Sequence, residues 1–379
     1  MSKEVETPLN TEELRRYQRH ITLPNFGLNG QHKLKKSKVL VIGAGGLGSP
    51  ILLYLAAAGV GHLGIVDFDE VDESNLQRQV LYTTNDIGEN KALKAKEKLK
   101  ALNPHTNVVE WQIKLDTENA LEIIKEYDLV IDGSDNFQTR YLVNDACVIC
   151  NKPFIYGSIF RYEGQVAVFN YKDGPNYRDL YPEPPAPESV PNCAEGGVIG
   201  VLPGIIGSLQ ANEAIKMLAD IGDVLSGKLF IFDLLSMTNR TIKVAKRPDA
   251  PTIDHLINYD EFCGFTSRKT DTTMVKEITV EELKSMRDAG EDFQLIDVRE
   301  PHEFDIANLQ GELIPLGDIP DNTDKIKTDK KVVVHCRSGA RSAQAIQFLQ
   351  QKLGTDNLYN LKGGILAWAD NIDPTVQKY

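Results

Sequence analysis

The sequence predicts an α/β protein of two unequal domains, and three observations carry that prediction. At 379 residues the chain is too long for one ordinary core. Its first two thirds alternate short apolar runs with helical stretches, the pattern of a parallel sheet with crossover helices. Around 266–275 the segment TSRKTDTTMV is polar and lacks periodicity, and behind it the same alternation begins again. The expected division is 1–265, a linker over 266–275, and a smaller domain over 276–379.

Taken in order, KVLVIG (38–43) has the composition of a buried strand, PILLYLAAAGV (50–60) that of a helix, and HLGIVDFD (62–69) that of the next strand. GENKALKAKEKLKALNP (88–104) reads as a helix with Leu93, Leu99 and Leu102 near one face and a proline stop. YDLVIDGSD (127–135) is a strand ending in carboxylates. The prolines of GPNYRDLYPEPPAPESVPN (174–192) predict an extended, mobile loop with no helix in it. GIIGSLQANEAIKMLAD (204–220) reads as a mostly buried helix. In the second domain, TVEELKSMRDAG, FQLIDVRE, KVVVHC, a helix from about Ser342, and LYNLKGGILAW supply the elements of a smaller α/β unit.

Composition excludes several classes. The formal net charge of −12 leaves no basic excess to neutralise a nucleic-acid backbone. No apolar run reaches the length of a membrane span, and the N-terminal MSKEVETPLNTEELRRYQRH lacks the apolar centre of a signal peptide. Five cysteines are too few and odd in number for a disulfide framework, so a reducing cytoplasm is expected. Cys147 and Cys150 of CVIC read as packing residues on a helix.

VIGAGGLGSP fits G-x-G-x-x-G through Gly43, Gly45 and Gly48, between a strand and a helix, which gives a Rossmann-like nucleotide-binding domain. Asp67 follows about twenty residues on, where a carboxylate accepts ribose hydroxyls. Alone, this pattern is most often that of an NAD-dependent oxidoreductase. Asn75, Arg78, Lys91, Asp135 and Asn136 follow successive strands and point elsewhere. Two cations and a carboxylate beside a phosphate cradle suit a triphosphate plus a hard metal, and Asp135 can hold Mg²⁺.

RYQRHI, GAGGLGSP, DFDEVDESNLQRQ, GENKA, SDNFQTRYLVND, YGSIFRYEGQVAVF and PNCAEGGVIGVLPGIIGSLQANEAIK together resemble the bacterial adenylyltransferases that activate ubiquitin-like sulfur carriers for molybdopterin synthase and thiamine thiazole. The resemblance implies ATP-dependent adenylylation of a carrier protein's C-terminal Gly-Gly. It places Gly46 against phosphate, and Asn75, Arg78 and Lys91 around it. It makes Arg19 a finger reaching into the partner subunit of a homodimer, and Cys193 a thiol used in covalent or sulfur-transfer steps. The family usually binds a structural zinc through two C-x-x-C pairs. Here Asn176, Asp179 and Asp260 stand at three of those positions and only Cys263 at the fourth, so no structural zinc is expected.

KVVVHCRSGARSA (331–343) places Cys336 at the end of a strand, with Arg337, Ser338, Gly339 and Ala340 before Arg341. Cysteine phosphatases use one residue more, and their arginine would fall at Ser342. The tighter ring of backbone N–H groups suits a single sulfur atom, and the helix N-terminus with its arginines should favour the thiolate. With LIDVREPHEFDIANLQGELIPLGDI and LKGGILAW, the loop resembles a rhodanese domain over 276–372, which implies a persulfide on Cys336 and structural roles for Asp297 and Arg299. Cysteine desulfurase or thiosulfate is the implied sulfur donor. The rival readings are a nicotinamide oxidoreductase with a regulatory rhodanese module and a non-catalytic carrier-binding scaffold.

Overall fold

A computed structural model describes residues 8–185, 197–264 and 275–378. The chain divides into two compact units, Met1–Ser267 and Arg268–Tyr379.

The first unit is built on an eight-stranded sheet of order β3-β2-β1-β4-β5-β6-β7-β8. Strands β1 (Lys38–Ile42), β2 (His62–Val66), β3 (Asn107–Trp111), β4 (Leu129–Asp132) and β5 (Phe154–Phe160) run parallel. β6 (Glu163–Phe169), β7 (Lys228–Asp233) and β8 (Thr238–Lys243) then continue the sheet antiparallel, so the sheet is mixed rather than purely parallel. Along β1, Val39 and Val41 enter one apolar layer and Leu40 and Ile42 the other, because successive side chains leave a strand on opposite faces.

The helices in chain order are α1 (Thr11–Arg16), α2 (Gln18–Ile21), α3 (Gly27–Lys36), α4 (Gly48–Ala58), α5 (Lys91–Leu102), α6 (Ala120–Ile124), α7 (Phe137–Ile149), α8 (Tyr177–Leu180), α9 (Val201–Ala219) and α10 (Tyr259–Phe262). α4, α5 and α9 supply one layer, and α6, α7, α8 and α10 the other. Two sequence expectations need correction. On α5 the buried apolar face is Ala92, Ala95 and Leu99, with Leu102 left 38% exposed. The segment 174–192 is not free of helix. Asn176 and Asp179 form a capping box around α8, between Pro175 and the run of prolines that starts at Pro182.

The second unit is a five-stranded, wholly parallel sheet of order β11-β10-β12-β13-β9. Its strands are β9 (Lys276–Ile278), β10 (Phe293–Asp297), β11 (Glu312–Leu313), β12 (Lys331–His335) and β13 (Leu358–Leu361). Its helices are α11 (Val280–Asp288), α12 (Pro301–Ile306), α13 (Ala340–Leu353) and α14 (Gly364–Asn371). Val332 and Val334 pack with Ala345, Ile346 and Leu349 of α13, while Val333 packs on the opposite side with α11 and α14.

Candidate active sites

In the first unit β2, β1 and β4 are neighbours and parallel, so the loops that follow them open on one edge of the sheet. The glycine loop follows β1. Gly43 has φ +88°, and a Cβ there would lie 2.8 Å from the Gly133 carbonyl oxygen. A Cβ on Gly48 would lie 2.1 Å from the Gly43 carbonyl oxygen. These two positions therefore require glycine. Gly46 lies against Pro203, and its Cβ position is 3.7 Å from Cγ of Arg78, so the Arg78 stem borders the loop. Gly45 has ordinary room for a side chain, with Gln79 Nε2 at 3.5 Å.

Asp67 directly follows β2. Its Oδ2 accepts the Ala44 N–H at 2.7 Å and its Oδ1 accepts the Asp69 N–H at 2.9 Å. It thus holds the glycine loop in shape, a role its spacing alone does not reveal. Burial pushes its carboxyl up from the ordinary value, partly offset by these hydrogen bonds. Lys91 opens α5 and is buried, with Nζ 3.1 Å from Asp69 Oδ2. Asn75 closes a single 3-10 turn over Glu73–Asn75, and the Arg78 guanidinium donates to the Ser74 carbonyl at 3.0 Å. Asp135 is exposed in the loop after β4, and its carboxylate has no hydrogen bond or ion pair among the described residues. Asn136 caps α7 by accepting the Thr139 N–H at 2.9 Å. The glycine loop, Arg78, Lys91 and the β4 loop are thus brought to one edge.

Arg19 is exposed on α2, and no hydrogen bond or ion pair among the described residues ties its side chain to that edge. Cys193 lies outside the described residues, as does most of the expected linker.

Two residues at this edge escape the sequence reading. Asp132 ends β4 fully buried, accepting from the Ser134 N–H at 2.9 Å and from Arg140 Nε at 3.3 Å. Burial pushes its carboxyl up, and Arg140 works against that. Gln210 of α9 donates to the Asp132 carbonyl at 2.7 Å. The signal was available: in LVIDGSD the first aspartate falls inside the apolar strand, the second beyond it.

At the positions where the family carries its zinc cysteines, Asp179 accepts the N–H of Asn176 and of Arg247, each at 2.8 Å. Beside it the Arg178 fork binds Asp145 at 2.8 and 2.7 Å, and the Tyr259 hydroxyl donates to Asp145 at 2.8 Å. The Arg178 guanidinium lies over the Phe262 ring at 4.5 Å and the Tyr141 ring at 5.1 Å. This buried network ties α7, α8 and α10 together. Cys263 is buried, and burial pushes its thiol up to about 11. Cys147 is buried too, while Cys150 is half-buried.

In the second unit β12 ends at His335 and delivers Cys336, 1% exposed, to a loop that turns into α13. Gly339 takes φ +102° and its N–H donates to Cys336 Sγ at 3.2 Å. The Ser342 hydroxyl lies 3.4 Å from the same sulfur. Gly364 packs over the loop, since a Cβ there would lie 2.5 Å from the carbonyl oxygens of Cys336 and Arg337. The Ile365 N–H donates to the Cys336 carbonyl at 3.0 Å. Ser338 and Ala340 are exposed, and Arg337 is half-buried.

Arg341, expected beside the sulfur, is also half of an ion pair. Its fork closes on Glu303 of α12 at 2.6 and 2.7 Å, which balances its charge and fixes its plane. Asp297 and Arg299 are both fully buried and paired at 2.6 Å, with Arg299 also donating to the carbonyls of Glu303 and Ala307. That is the architectural role expected of them. His335 is buried beside the pair, with Nε2 3.6 Å from Asp297 Oδ2, and burial lowers its pKa to about 4.

Residues 17–252 match the ThiF family and residues 279–371 the rhodanese-like domain. The chain is 47% identical over 380 residues to the probable adenylyltransferase/sulfurtransferase MoeZ of Mycobacterium tuberculosis, covering 98% of this chain and 96% of that one. It is 44% identical to the adenylyltransferase and sulfurtransferase MOCS3 of Drosophila sechellia, over 99% of this chain and 87% of that one. Among solved structures, Escherichia coli MccB with ATP has a TM-score of 0.57 at 22% identity, covering 65% of this chain and 75% of that one, a likeness of fold. No helix among the described residues is long and apolar enough to cross a membrane. The oxidoreductase reading is set aside: the chain belongs to the ThiF family, and in it that domain is followed by a C-terminal rhodanese-like domain.

Proposed function

We propose that the first unit adenylylates the C-terminal glycine of a ubiquitin-like sulfur carrier and that the second supplies the sulfur which turns that terminus into a thiocarboxylate, for molybdopterin or a related sulfur-requiring biosynthesis. The reaction class follows from family membership and from relatives named as both adenylyltransferase and sulfurtransferase. The observation that carries the reading is the pairing of two loops in one chain. One is a glycine cradle edged by Arg78, Lys91 and an unpartnered Asp135, and the other a loop that buries one sulfur and turns the Gly339 N–H onto it.

A carboxylate is a poor electrophile, and adenylylation gives it a leaving group. The carrier's carboxylate oxygen attacks the α-phosphorus of ATP, and the bond to pyrophosphate breaks with its electron pair. Gly43, Gly45, Gly46 and Gly48 let backbone N–H groups approach the phosphates, and the start of α4 favours their charge. Arg78 and Lys91 balance charge that develops on the triphosphate. Asp67 accepts ribose hydroxyls with its remaining lone pairs, and Asn75 and Asn136 offer amide donors. The exposed, unpaired carboxylate of Asp135 fits a Mg²⁺ ion, which when bound neutralises phosphate charge. Asp132, sealed against Arg140, is not available for that task. Arg19 reaches the site of the partner copy in a homodimer, which accounts for its exposure.

In the second half, the Cys336 persulfide attacks the acyl-adenylate carbon and AMP leaves, giving an acyl disulfide. The Cys193 thiolate then attacks the Cys336 sulfur. The carrier departs as a thiocarboxylate, and a Cys193–Cys336 disulfide remains for a cellular thiol to reduce. Thiosulfate or a cysteine desulfurase persulfide loads Cys336, and the chain works in the cytoplasm.

The test is ATP–pyrophosphate exchange with a Gly-Gly-terminated carrier. Exchange that depends on the carrier and persists in Cys336→Ala supports the division of labour. Loss of exchange in that variant, or exchange indifferent to the carrier, contradicts it.

A further inference from the structure

The Cys336 sulfur has a second hydrogen-bond donor besides the backbone, and it is a side chain. Ser342 is fully buried, with Oγ 3.4 Å from Cys336 Sγ, 2.7 Å from Asn360 Oδ1 and 3.1 Å from the Gly339 carbonyl oxygen. Asn360, on β13, is itself 4% exposed. A hydroxyl carries one proton, so Ser342 cannot donate to all three acceptors at once. The charge on the sulfur decides which one it takes. Opposite a neutral thiol, a carbonyl oxygen is the better acceptor and the proton goes to Asn360. Opposite an anion, the charge-assisted bond is the stronger and the hydroxyl turns to the sulfur. A carboxamide holds both an acceptor and a donor, so Asn360, turned about its last torsion, then offers an N–H to the Ser342 oxygen. In either state the buried Ser342 hydroxyl keeps an acceptor for its proton, whose loss would be costly in so closed a pocket.

We propose that Ser342 and Asn360 are positioning residues, a hydroxyl–carboxamide pair that turns a proton donor onto the Cys336 sulfur whenever that sulfur carries negative charge. The proposal rests on the reading of Cys336 as the sulfur carrier. Negative charge sits on that sulfur at both ends of the cycle. In loading from thiosulfate, the thiolate attacks the outer sulfur, the S–S bond of thiosulfate breaks, and sulfite leaves with the electron pair. In discharge to cyanide, the terminal sulfur leaves as thiocyanate and Cys336 is released as thiolate. The pair acts on the rate of these steps. Donor binding belongs to the backbone ring and the flanking cations. The other charged groups around the loop stay in place when the pair is altered. They are Arg337 in the loop, Arg341 with Glu303, and the buried Asp297, Arg299 and His335.

The experiment uses the full chain and its Ser342→Ala, Asn360→Ala and Asn360→Asp variants. Thiosulfate–cyanide sulfur transfer is expected to lose kcat by about tenfold in Ser342→Ala, with KM for thiosulfate unchanged. Alkylation of Cys336 by iodoacetamide at neutral pH slows by a similar factor. Asn360→Asp, whose carboxylate only accepts, keeps the proton off the sulfur and is at least as slow. Asn360→Asp decides the matter by itself if circular dichroism finds the alanine variants unfolded. Alkylation rates equal to the parent's, or a loss confined to KM, overturn the pair. A parent chain that gains no sulfur mass at Cys336 overturns the sulfur-carrier reading instead, and alkylation still tests the pair.

Discussion

Both units place their reactive loop where a parallel strand hands over to a helix N-terminus, yet they build it in opposite ways. β1 is followed by a glycine, Gly43, and the space that its side chain would occupy is filled by the neighbouring loop at Gly133 and Ser134. The cradle stays open, and its charged groups, Asp67, Arg78, Lys91 and Asp135, come from outside the glycine loop itself. After β12 the strand ends in a cysteine that is itself the reactive group, and the loop, α13 and the Gly363–Gly364 turn close around it. An open basin suits a large substrate that brings its own leaving group. A closed ring suits one atom that the protein must hold.

The comparison breaks most visibly through each loop's own chemistry. Asp135→Ala is expected to lower ATP–pyrophosphate exchange by roughly 10²–10³-fold, the scale for one electrostatic group at a transferring phosphate. The same variant leaves sulfur loading from thiosulfate intact. A parallel fall in both, measured on one preparation, contradicts the separation of the sites.

Next in size is the network at the altered cysteine positions. Asp145→Ala leaves Arg178 buried without its partner, and that loss costs about 3–5 kcal/mol in comparable settings. Thermal unfolding of the first unit should shift down accordingly, while that of the second unit stays put. A strong chelator should leave the first unit's thermal midpoint unmoved. A large drop on chelation would show a metal where Asp179, Arg178 and Tyr259 are read as the fastening.

A smaller effect sharpens the comparison in the second unit. Burial holds His335 near 4 in the folded state, against an ordinary value of 6.5 when unfolded. The lowered value means that the unfolded chain binds the proton first. Stability from this group is therefore complete above 6.5 and declines as pH falls towards 4, by about 1.4 kcal/mol per pH unit. Denaturant unfolding of the second unit across that window should show the slope, and His335→Asn should flatten it.

Much of this was legible in the sequence, for identifiable reasons. The strand–glycine–helix pattern of 38–60 and the strand–cysteine–helix pattern of 331–353 are local, and local backbone demands are written in adjacent residues. Pairings between distant segments were not legible. Nothing beside Arg341 announces that Glu303, on another helix, will hold it, and nothing near Ser342 announces Asn360. The short helix α8 was masked by the prolines that follow it, although its capping pair Asn176 and Asp179 was in view. Asp67 was legible as a carboxylate at the right place, but not as the brace of the glycine loop. The mixed sheet was missed because β6 and β7 carry apolar residues much as a parallel strand would, while β8, TNRTIK, is polar and exposed along its length and gives no strand signal.

The most direct measurement is the intact mass of a Gly-Gly-terminated carrier after incubation with this chain, ATP, thiosulfate and a thiol reductant. The account predicts a carrier heavier by the exchange of one carboxylate oxygen for sulfur, with no exchange when either ATP or Cys336 is removed. A carrier that leaves unchanged while ATP is consumed, or one that gains sulfur without ATP, would contradict it.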